Sequence, residues 1–175
     1  MENKKIYVVL TQTYSGLART IKYFTKDTYS HASISFDKVC NEMYSFGRKF
    51  KYFPLYGIFL KEDLNKGLFQ NKKSLIAIYE IEVTPKQFEK AKRKVKQIKK
   101  TNKGYNIMGL LLAKFKVKLH RNKYYCSEFV YEVLSSDGVD ILDKNVVLFR
   151  PEELIEHSEF NKVYEGKIRE YINTI

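Results

Sequence analysis

Cys126 is the residue of this chain whose type and position best suit covalent chemistry. The residues that follow it place four apolar side chains on one stripe of a predicted helix: Phe129, Val130, Val133 and Leu134. The cysteine therefore stands in the first turn, where unpaired backbone N–H groups and the helix dipole favour a thiolate. The thiolate is the nucleophilic form of cysteine. The position predicts a thiol nucleophile, although a buried structural cysteine also fits it.

A nucleophilic thiol needs a general base within hydrogen-bond reach, and the chain has three histidines. His157 follows the polar end of a predicted short helix, which is typical of a surface residue. His120 lies in a basic loop, where neighbouring cations disfavour the imidazolium that pairs with a thiolate. His31 opens a strand whose face continues with Ser33 and Ser35, and we expect the cysteine helix to lie on that face. His31 is therefore the predicted base.

A third polar group is expected to orient the base and fix its tautomer. The strand that begins at His31 is predicted to form a hairpin with a return strand at Glu42–Phe46. In an even register, the odd-numbered residues of the return strand share the face of His31, which brings Ser45 near the imidazole. Glu42 is the alternative on the same strand, because strand register is not determined by such a short pattern.

Apolar and alternating runs indicate the strands that position these residues. They are predicted at Lys5–Thr11, His31–Phe36, Glu42–Phe46 and Ser74–Val83. Residues 47–71 are rich in aromatic side chains but interrupted by turn formers. We predict loops there, with a short strand or helical turn that lines one wall of a site. Residues 162–172 are predicted as a final strand pair or an extended tail.

Most helix signals lie in the second half of the chain. The predicted helices cover Thr13–Phe24, a segment opened by Thr84-Pro85 and ended near Asn102, Tyr105–Lys118, the segment after Cys126, and Pro151–Ile155. A chain in which most strands precede most helices is typical of an α+β domain with helices packed on an antiparallel sheet. We predict one such domain over residues 1–175.

The composition narrows the class of protein. The chain has 175 residues, of which 44% are hydrophobic, which is a globular composition rather than a disordered one. Two cysteines are too few for a disulfide scaffold, and no Cys/His spacing indicates zinc, so we predict neither a metal nor a cofactor. No segment reads as a signal peptide or membrane span, and we expect a soluble, cytoplasmic protein.

The formal net charge of +12 is concentrated on the helix after Thr84-Pro85. Its outer face carries Lys86, Lys90, Lys92, Arg93, Lys94, Lys96, Lys99 and Lys100. A solvated helix face explains such a run, and an anionic membrane surface is the alternative partner. Nucleic acid is not a predicted partner, because the run has no interleaved aromatic residues and no nucleic-acid motif.

Three blocks of sequence together resemble the circularly permuted branch of the NlpC-like, papain-like cysteine peptidase superfamily. They are Tyr29–Ile34, Met43–Arg48 and Tyr124–Val130. In that branch the histidine strand precedes the cysteine helix, as it does here. The resemblance covers the chain from Lys5 to about Ile155, and it implies a permuted papain-like fold with the cysteine at a helix N-terminus.

The resemblance also implies roles for individual residues. Cys126 would be the nucleophile and His31 the base, with Ser45 as the polar third residue. Relatives more often carry His, Asn, Gln or an acid there, so the serine is a departure from the pattern. Tyr105 matches a tyrosine that helps to bind the oxyanion together with the backbone N–H of Cys126, and Gln12 is a further polar candidate for the cleft.

Three functions remain open at this stage. The first is a thiol hydrolase that cleaves an amide bond in a small peptide, the substrate class that the resemblance suggests. The second uses the same site on lipids, because the permuted fold also resembles lecithin:retinol acyltransferase-like enzymes. The third is a polyanion-binding domain without catalysis.

Overall fold

The computed structural model describes the protein in several ranges of the chain. These are residues 2–13, 28–50, 53–101, 104–105, 123–124, 126–143, 150–156 and 160–175. For residues 48–50, 53–57, 104–105 and 123–124 the backbone alone is described. The predicted helices over Thr13–Phe24 and Tyr105–Lys118 therefore lie almost wholly outside the described residues.

A six-stranded antiparallel sheet forms the centre of the fold. Its strands are β1 (Lys4–Gln12), β2 (His31–Ser35), β3 (Met43–Phe50), β4 (Phe53–Glu62), β5 (Leu75–Val83) and β8 (Asn161–Lys167). They lie in the order β4-β3-β2-β1-β5-β8. The continuous apolar run of β1 explains its central position, because a strand covered on both faces needs no polar side. Two short strands, β6 (Gly104–Tyr105) and β7 (Lys123–Tyr124), form a separate parallel pair.

Four α-helices accompany the sheet within the described residues. They are α1 (Pro85–Lys100), α2 (Cys126–Leu134), α3 (Glu153–Glu156) and α4 (Ile168–Ile172), and a 3₁₀ turn covers Gly67–Gln70. Thr84 caps α1 through a reciprocal capping box with Gln87, as the Thr-Pro signal predicts. The predicted α+β class, with helices packed on an antiparallel sheet, is confirmed. None of the helices that the structure describes has the length and apolar character needed to cross a membrane.

The two faces of the sheet are covered differently. Ala32 and Ile34 of β2 pack in one apolar cluster with Phe129 and Val130 of α2, together with α1. The opposite face carries a second cluster, which includes Val9, Met43 and residues of α4. Our expectation that α2 lies on the face of Ser33 and Ser35 was wrong. The apolar stripe of α2 matches the apolar face of β2, whereas both serine hydroxyls are engaged in hydrogen bonds on the other face.

Residues 47–71 are more regular than predicted. β3 continues to Phe50 and returns as the ten-residue strand β4, with a register shift between Arg48 and Phe50. β4 is an edge strand of the sheet, where Pro54 is tolerated because its missing N–H interrupts no inner ladder. Phe59 of β4 packs edge-on against Phe129 of α2 and so helps to hold the sheet to the cysteine helix.

The C-terminal prediction is half right. Residues 161–167 form the strand β8, which pairs with β5 and completes the sheet. The following residues form α4 rather than a second strand, because Ile168 and Tyr171 are buried together in the second apolar cluster. Their spacing of three residues suits one face of a helix.

Candidate active site

Cys126 is the first residue of α2 and is fully buried. The helix begins there because Phe129, Val130, Val133 and Leu134, all buried, need a helical spacing to reach the apolar face of the sheet. The backbone N–H groups of the first turn have no intrahelical acceptor. The sulfur therefore lies at the positive end of a nine-residue helix.

His31 is the first residue of β2 and lies between a carboxylate and the sulfur. Its Nε2 is 2.9 Å from Oε1 of Glu62, and its ring is close enough to the side chain of Cys126 for that side chain to raise the pKa of His31. Because Nε2 is engaged by Glu62, we infer that Nδ1 is the nitrogen that faces the sulfur. The structure thus brings together the predicted nucleophile and the predicted base. They meet although β2 directs His31 away from the body of α2, because each is the first residue of its element.

Glu62 is the last residue of β4, and its buried carboxylate has two hydrogen-bond donors beside it. Its Oε1 pairs with His31, and the hydroxyl of Ser33 donates to its Oε2. Burial by itself would raise the pKa of Glu62, but the adjacent His31 charge and the hydrogen bonds outweigh burial and lower that pKa. Glu62 is therefore a carboxylate at neutral pH.

The charge of His31 follows from the same contacts. Burial disfavours the imidazolium, but the Glu62 carboxylate and the Cys126 side chain outweigh burial and raise the pKa of His31 to about 10. His31 is consequently protonated at neutral pH. An imidazolium beside a cysteine sulfur is the charge state that pairs with a thiolate.

Ser45 does not make the contact that we predicted for it. The even register is correct, since Ile34 pairs with Tyr44, and Ser45 is fully buried near the site. Its hydroxyl lies close enough to Glu62 to lower the pKa of that carboxyl, but it makes no hydrogen bond of regular geometry within the described residues. The group that holds the His31 ring is Glu62, whose longer side chain reaches across β3 from the edge strand.

The alternative third residue, Glu42, is also excluded from contact with His31. Its carboxylate pairs with Lys92 of α1 at 2.5 Å. Even-numbered residues of this hairpin face the helices, so Glu42 points away from the imidazole. Glu62 itself was missed because residues 47–71 gave no clear strand pattern. The signal that could have found it is the apolar run Ile58–Leu60 that leads into a carboxylate.

Gly47 keeps space open beside the imidazole. A Cβ atom at this position would lie 3.5 Å from Cε1 of His31 and 3.5 Å from the hydroxyl of Ser45. A longer side chain would extend over the ring. The glycine therefore leaves room next to the imidazole for another group.

Several residues in or next to the site carry buried polar atoms without a hydrogen-bond partner. Within the described part of the chain, they are Thr11 Oγ1, Gln12 Oε1, Ser45 Oγ and Ser127 Oγ. Thr11 pairs directly with His31 in the sheet, and Ser127 follows Cys126. Gln12, a predicted cleft residue, is the next residue of β1 and is 1% exposed. Buried polar groups usually have partners, so this concentration indicates a place where a polar ligand or water binds.

No protein-family model and no curated protein matches this chain.

The chemistry of the site must therefore be derived from its own residues. Among the residues that the structure describes, no group of three or more His, Cys, Asp and Glu side chains could hold a metal ion. What the geometry does provide is a series of a thiol, an imidazole and a carboxylate. In catalytic triads, such a series lets the imidazole exchange a proton with the reacting groups while the nucleophile carries the acyl group.

Tyr105 is placed near the site by its backbone. β6 and β7 are parallel, and Tyr105 lies opposite Tyr124, two residues before Cys126. The side chain of Tyr105 lies outside the described part of the structure, as do His120 and His157. The predicted contribution of Tyr105 to oxyanion binding therefore remains a prediction.

Cys40 provides an internal comparison for the reactivity of Cys126. Both thiols are free and buried, but burial and the nearby Asp37 raise the pKa of Cys40 to about 12. We expect iodoacetamide, which is small enough for a buried site, to alkylate Cys126 at neutral pH and to leave Cys40 unmodified. Peptide mapping by mass spectrometry after a timed reaction measures both. Faster labelling of Cys40 would show that the wrong thiol had been chosen as nucleophile.

Proposed function

We propose that the protein is a cysteine hydrolase of the permuted papain-like type, which cleaves an amide bond in a small peptide. The observation that carries this proposal is the position of His31. Its Nε2 lies 2.9 Å from Oε1 of Glu62, and its ring lies close enough to Cys126 for that side chain to raise the pKa of the histidine. The order of the chain supports the permuted arrangement, since the histidine strand precedes the cysteine helix.

In the first half of the reaction, the sulfur of Cys126 attacks the carbonyl carbon of the substrate. The C–N bond breaks when His31, protonated at neutral pH, donates its proton to the departing nitrogen. The products of this step are a free amine and a thioester on Cys126. His31 is left as a neutral imidazole, still held by Glu62.

In the second half, the neutral His31 removes a proton from a water molecule. The resulting hydroxide attacks the thioester carbon, the C–S bond breaks, and a carboxylic acid leaves. The proton returns to the resting pair of Cys126 and His31. Because one histidine serves as acid and then as base, its orientation must hold through both steps, and Glu62 supplies that constraint.

Glu62 supplies what Ser45 could not supply as the third residue. A serine hydroxyl can accept a hydrogen bond from the imidazole but does not balance its positive charge. The Glu62 carboxylate does both, and the hydroxyl of Ser33 holds the second carboxylate oxygen. The resembled superfamily more often carries His, Asn, Gln or an acid on the strand after the histidine, whereas the carboxylate here comes from β4.

The developing oxyanion requires donors that point at it. The backbone N–H of Cys126 is one candidate, since it begins the helix and has no intrahelical acceptor. Tyr105 and Gln12 remain the proposed side-chain donors, and the buried Gln12 would donate through its amide nitrogen.

The polar surroundings favour a peptide over a lipid acyl chain as substrate. Thr11, Gln12, Ser45 and Ser127 place unpaired polar atoms close to the pair of Cys126 and His31. A fatty acyl chain would leave such atoms without partners, which is unfavourable, whereas peptide N–H and C=O groups can satisfy them. This observation supports the amidase over the lipid-directed alternative.

The first test of the proposal is formation of a thioester at Cys126. We expect p-nitrophenyl acetate to release p-nitrophenolate in a burst and to acetylate Cys126, as detected by intact-mass measurement and peptide mapping. Cys126→Ala should lose both signals, and Cys40→Ala, the matched control, should keep them. A burst that persists in Cys126→Ala would refute the proposed nucleophile. Hydrolysis of N-acetylated dipeptide amides, compared with phosphatidylcholine, then tests the substrate class.

A further inference from the structure

One side of α1 carries exposed cations along its whole length. The exposed cations of this side are Lys86, Arg93, Lys96 and Lys100. Glu89 is the only acidic residue of α1. The four cations follow at intervals of seven, three and four residues, which keeps them on one side of the helix, and they span about 21 Å. We call these four residues the α1 stripe.

The α1 stripe differs from the other basic residues of the same helix. Lys92 pairs with Glu42 at 2.5 Å, and Lys94 pairs with Glu132 at 2.8 Å. The four stripe residues form no ion pair with any residue that the structure describes. The flanks of α1 thus use their charges within the molecule, while the outer side presents its charges to the surroundings.

Helix stability does not explain this pattern. The first turn of α1 contains no acid, and Lys86 stands there against the positive end of the helix dipole. Lys96 and Lys100 are four residues apart, a spacing at which like charges repel. The dipole favours Lys100 in the last turn but gives no benefit to Lys86 or Arg93. Glu89, three residues after Lys86 and four before Arg93, offsets part of this repulsion, but one acid against four cations leaves the stripe positive, which is consistent with an external anionic partner.

We propose that the α1 stripe binds the surface of an anionic lipid membrane. Three of its four cations are lysines, which act as point charges, and it lacks the bidentate arginines and stacking aromatic residues that nucleic-acid sites use. The apolar side of α1 is buried, with Ala91, Val95 and Ile98 in the protein core. The helix therefore does not insert into the bilayer, and binding is purely electrostatic and reversible by salt.

The stripe points towards the end of the molecule that carries the candidate site. Lys94 pairs with Glu132, and the amide of Gln87 donates to the carbonyl of Val139, so α1 and α2 run antiparallel. The C-terminal end of the stripe then lies beside the N-terminus of α2, where Cys126 stands. A membrane bound along the stripe brings the protein to anionic surfaces without requiring a lipid substrate.

Co-sedimentation with vesicles tests the proposal. Wild-type protein should bind phosphatidylcholine vesicles that contain about 30% phosphatidylserine, should not bind pure phosphatidylcholine, and should dissociate in high salt. Each cation removed should lower the partition coefficient about fivefold. The variant in which Gln replaces all four stripe residues should therefore bind several-hundred-fold more weakly. The stripe residues are exposed, and an unchanged unfolding temperature verifies the fold of the variant.

The matched control removes the same charge elsewhere. Lys4, Lys61, Lys72 and Lys73 are exposed and lie off α1, and their replacement by Gln should reduce binding far less. Equal losses in the two variants would overturn the proposal, because net charge and not the stripe would then determine binding. Absence of vesicle binding would overturn it too, as would stripe-dependent binding of duplex DNA in its place. Cys126→Ala should bind vesicles like wild type. The vesicle experiment therefore tests this proposal independently of the proposed hydrolase activity.

Discussion

Glu62→Gln is expected to reduce turnover of p-nitrophenyl acetate by up to about 10⁴-fold, the loss seen when a triad carboxylate becomes an amide. The carboxylate accepts only, so it keeps the proton of the imidazole on Nε2 and leaves Nδ1 for the sulfur. A glutamine also donates, which permits the wrong tautomer. It also removes the charge that helps to raise the pKa of His31 to about 10. Steady-state kinetics and a ¹³C NMR titration of His31 measure the two effects.

Ser45→Ala is the matched control for this experiment. Ser45 lies near the same carboxylate but makes no regular hydrogen bond within the described residues, so we expect a loss of a few-fold at most. The titration midpoint of His31 should move down in Glu62→Gln and stay nearly in place in Ser45→Ala. Equal losses in both variants would restore Ser45 to the role that the sequence first suggested.

His31→Ala is expected to destabilise the fold by about 3 kcal/mol near pH 6, because it leaves a buried carboxylate without its cationic partner. The side chain of Glu62 is only 8% exposed, so water replaces the lost partner poorly. The double variant His31→Ala/Glu62→Gln should recover part of this loss, since an amide carries no charge to bury. Urea unfolding of the single and double variants measures the difference.

The stabilisation by this pair should depend on pH in a defined direction. The pKa of His31 is raised from its ordinary 6.5 to about 10, so its contribution is complete below pH 6.5 and is lost as the pH rises through 10. The pKa of Glu62 is lowered from 4.5, so its contribution is present above that value and is lost in acid. The gap between wild type and His31→Ala should thus be largest between about pH 4.5 and 6.5. A gap that is the same at pH 10 would contradict the ion pair.

The positions of Cys126 and His31 were predictable because each depends on a local pattern. An amphipathic run determines where α2 begins, and alternation determines where β2 begins. The pairing of β2 with β3 also follows from a short-range hairpin signal, although the register of that pair did not. These features involve neighbours in the sequence, where periodicity and turn chemistry act directly.

The partner of His31 was not predictable in the same way. Ser45 is nearer along the sheet, but the reach of a side chain decides the contact, and glutamate reaches where serine does not. The side of the sheet that α2 covers was also misjudged. Ser33 and Ser35 looked like space for a helix, whereas they serve Glu62 and the turn at Asp37. Both errors concern contacts between residues that are distant in the sequence. A single sequence does not show which of several distant groups will make such a contact.

The histidine and its carboxylate are made before the thiol during synthesis of the chain. β2, β3 and β4 follow each other closely in the sequence and pair as successive neighbours, so a nascent chain can assemble them once residue 62 has been made. Cys126 is synthesised later and gains its charged partner only when α2 docks on the finished strands. A nascent chain that ends before residue 126 therefore contains His31 and Glu62 without the thiol that the proposed reaction requires.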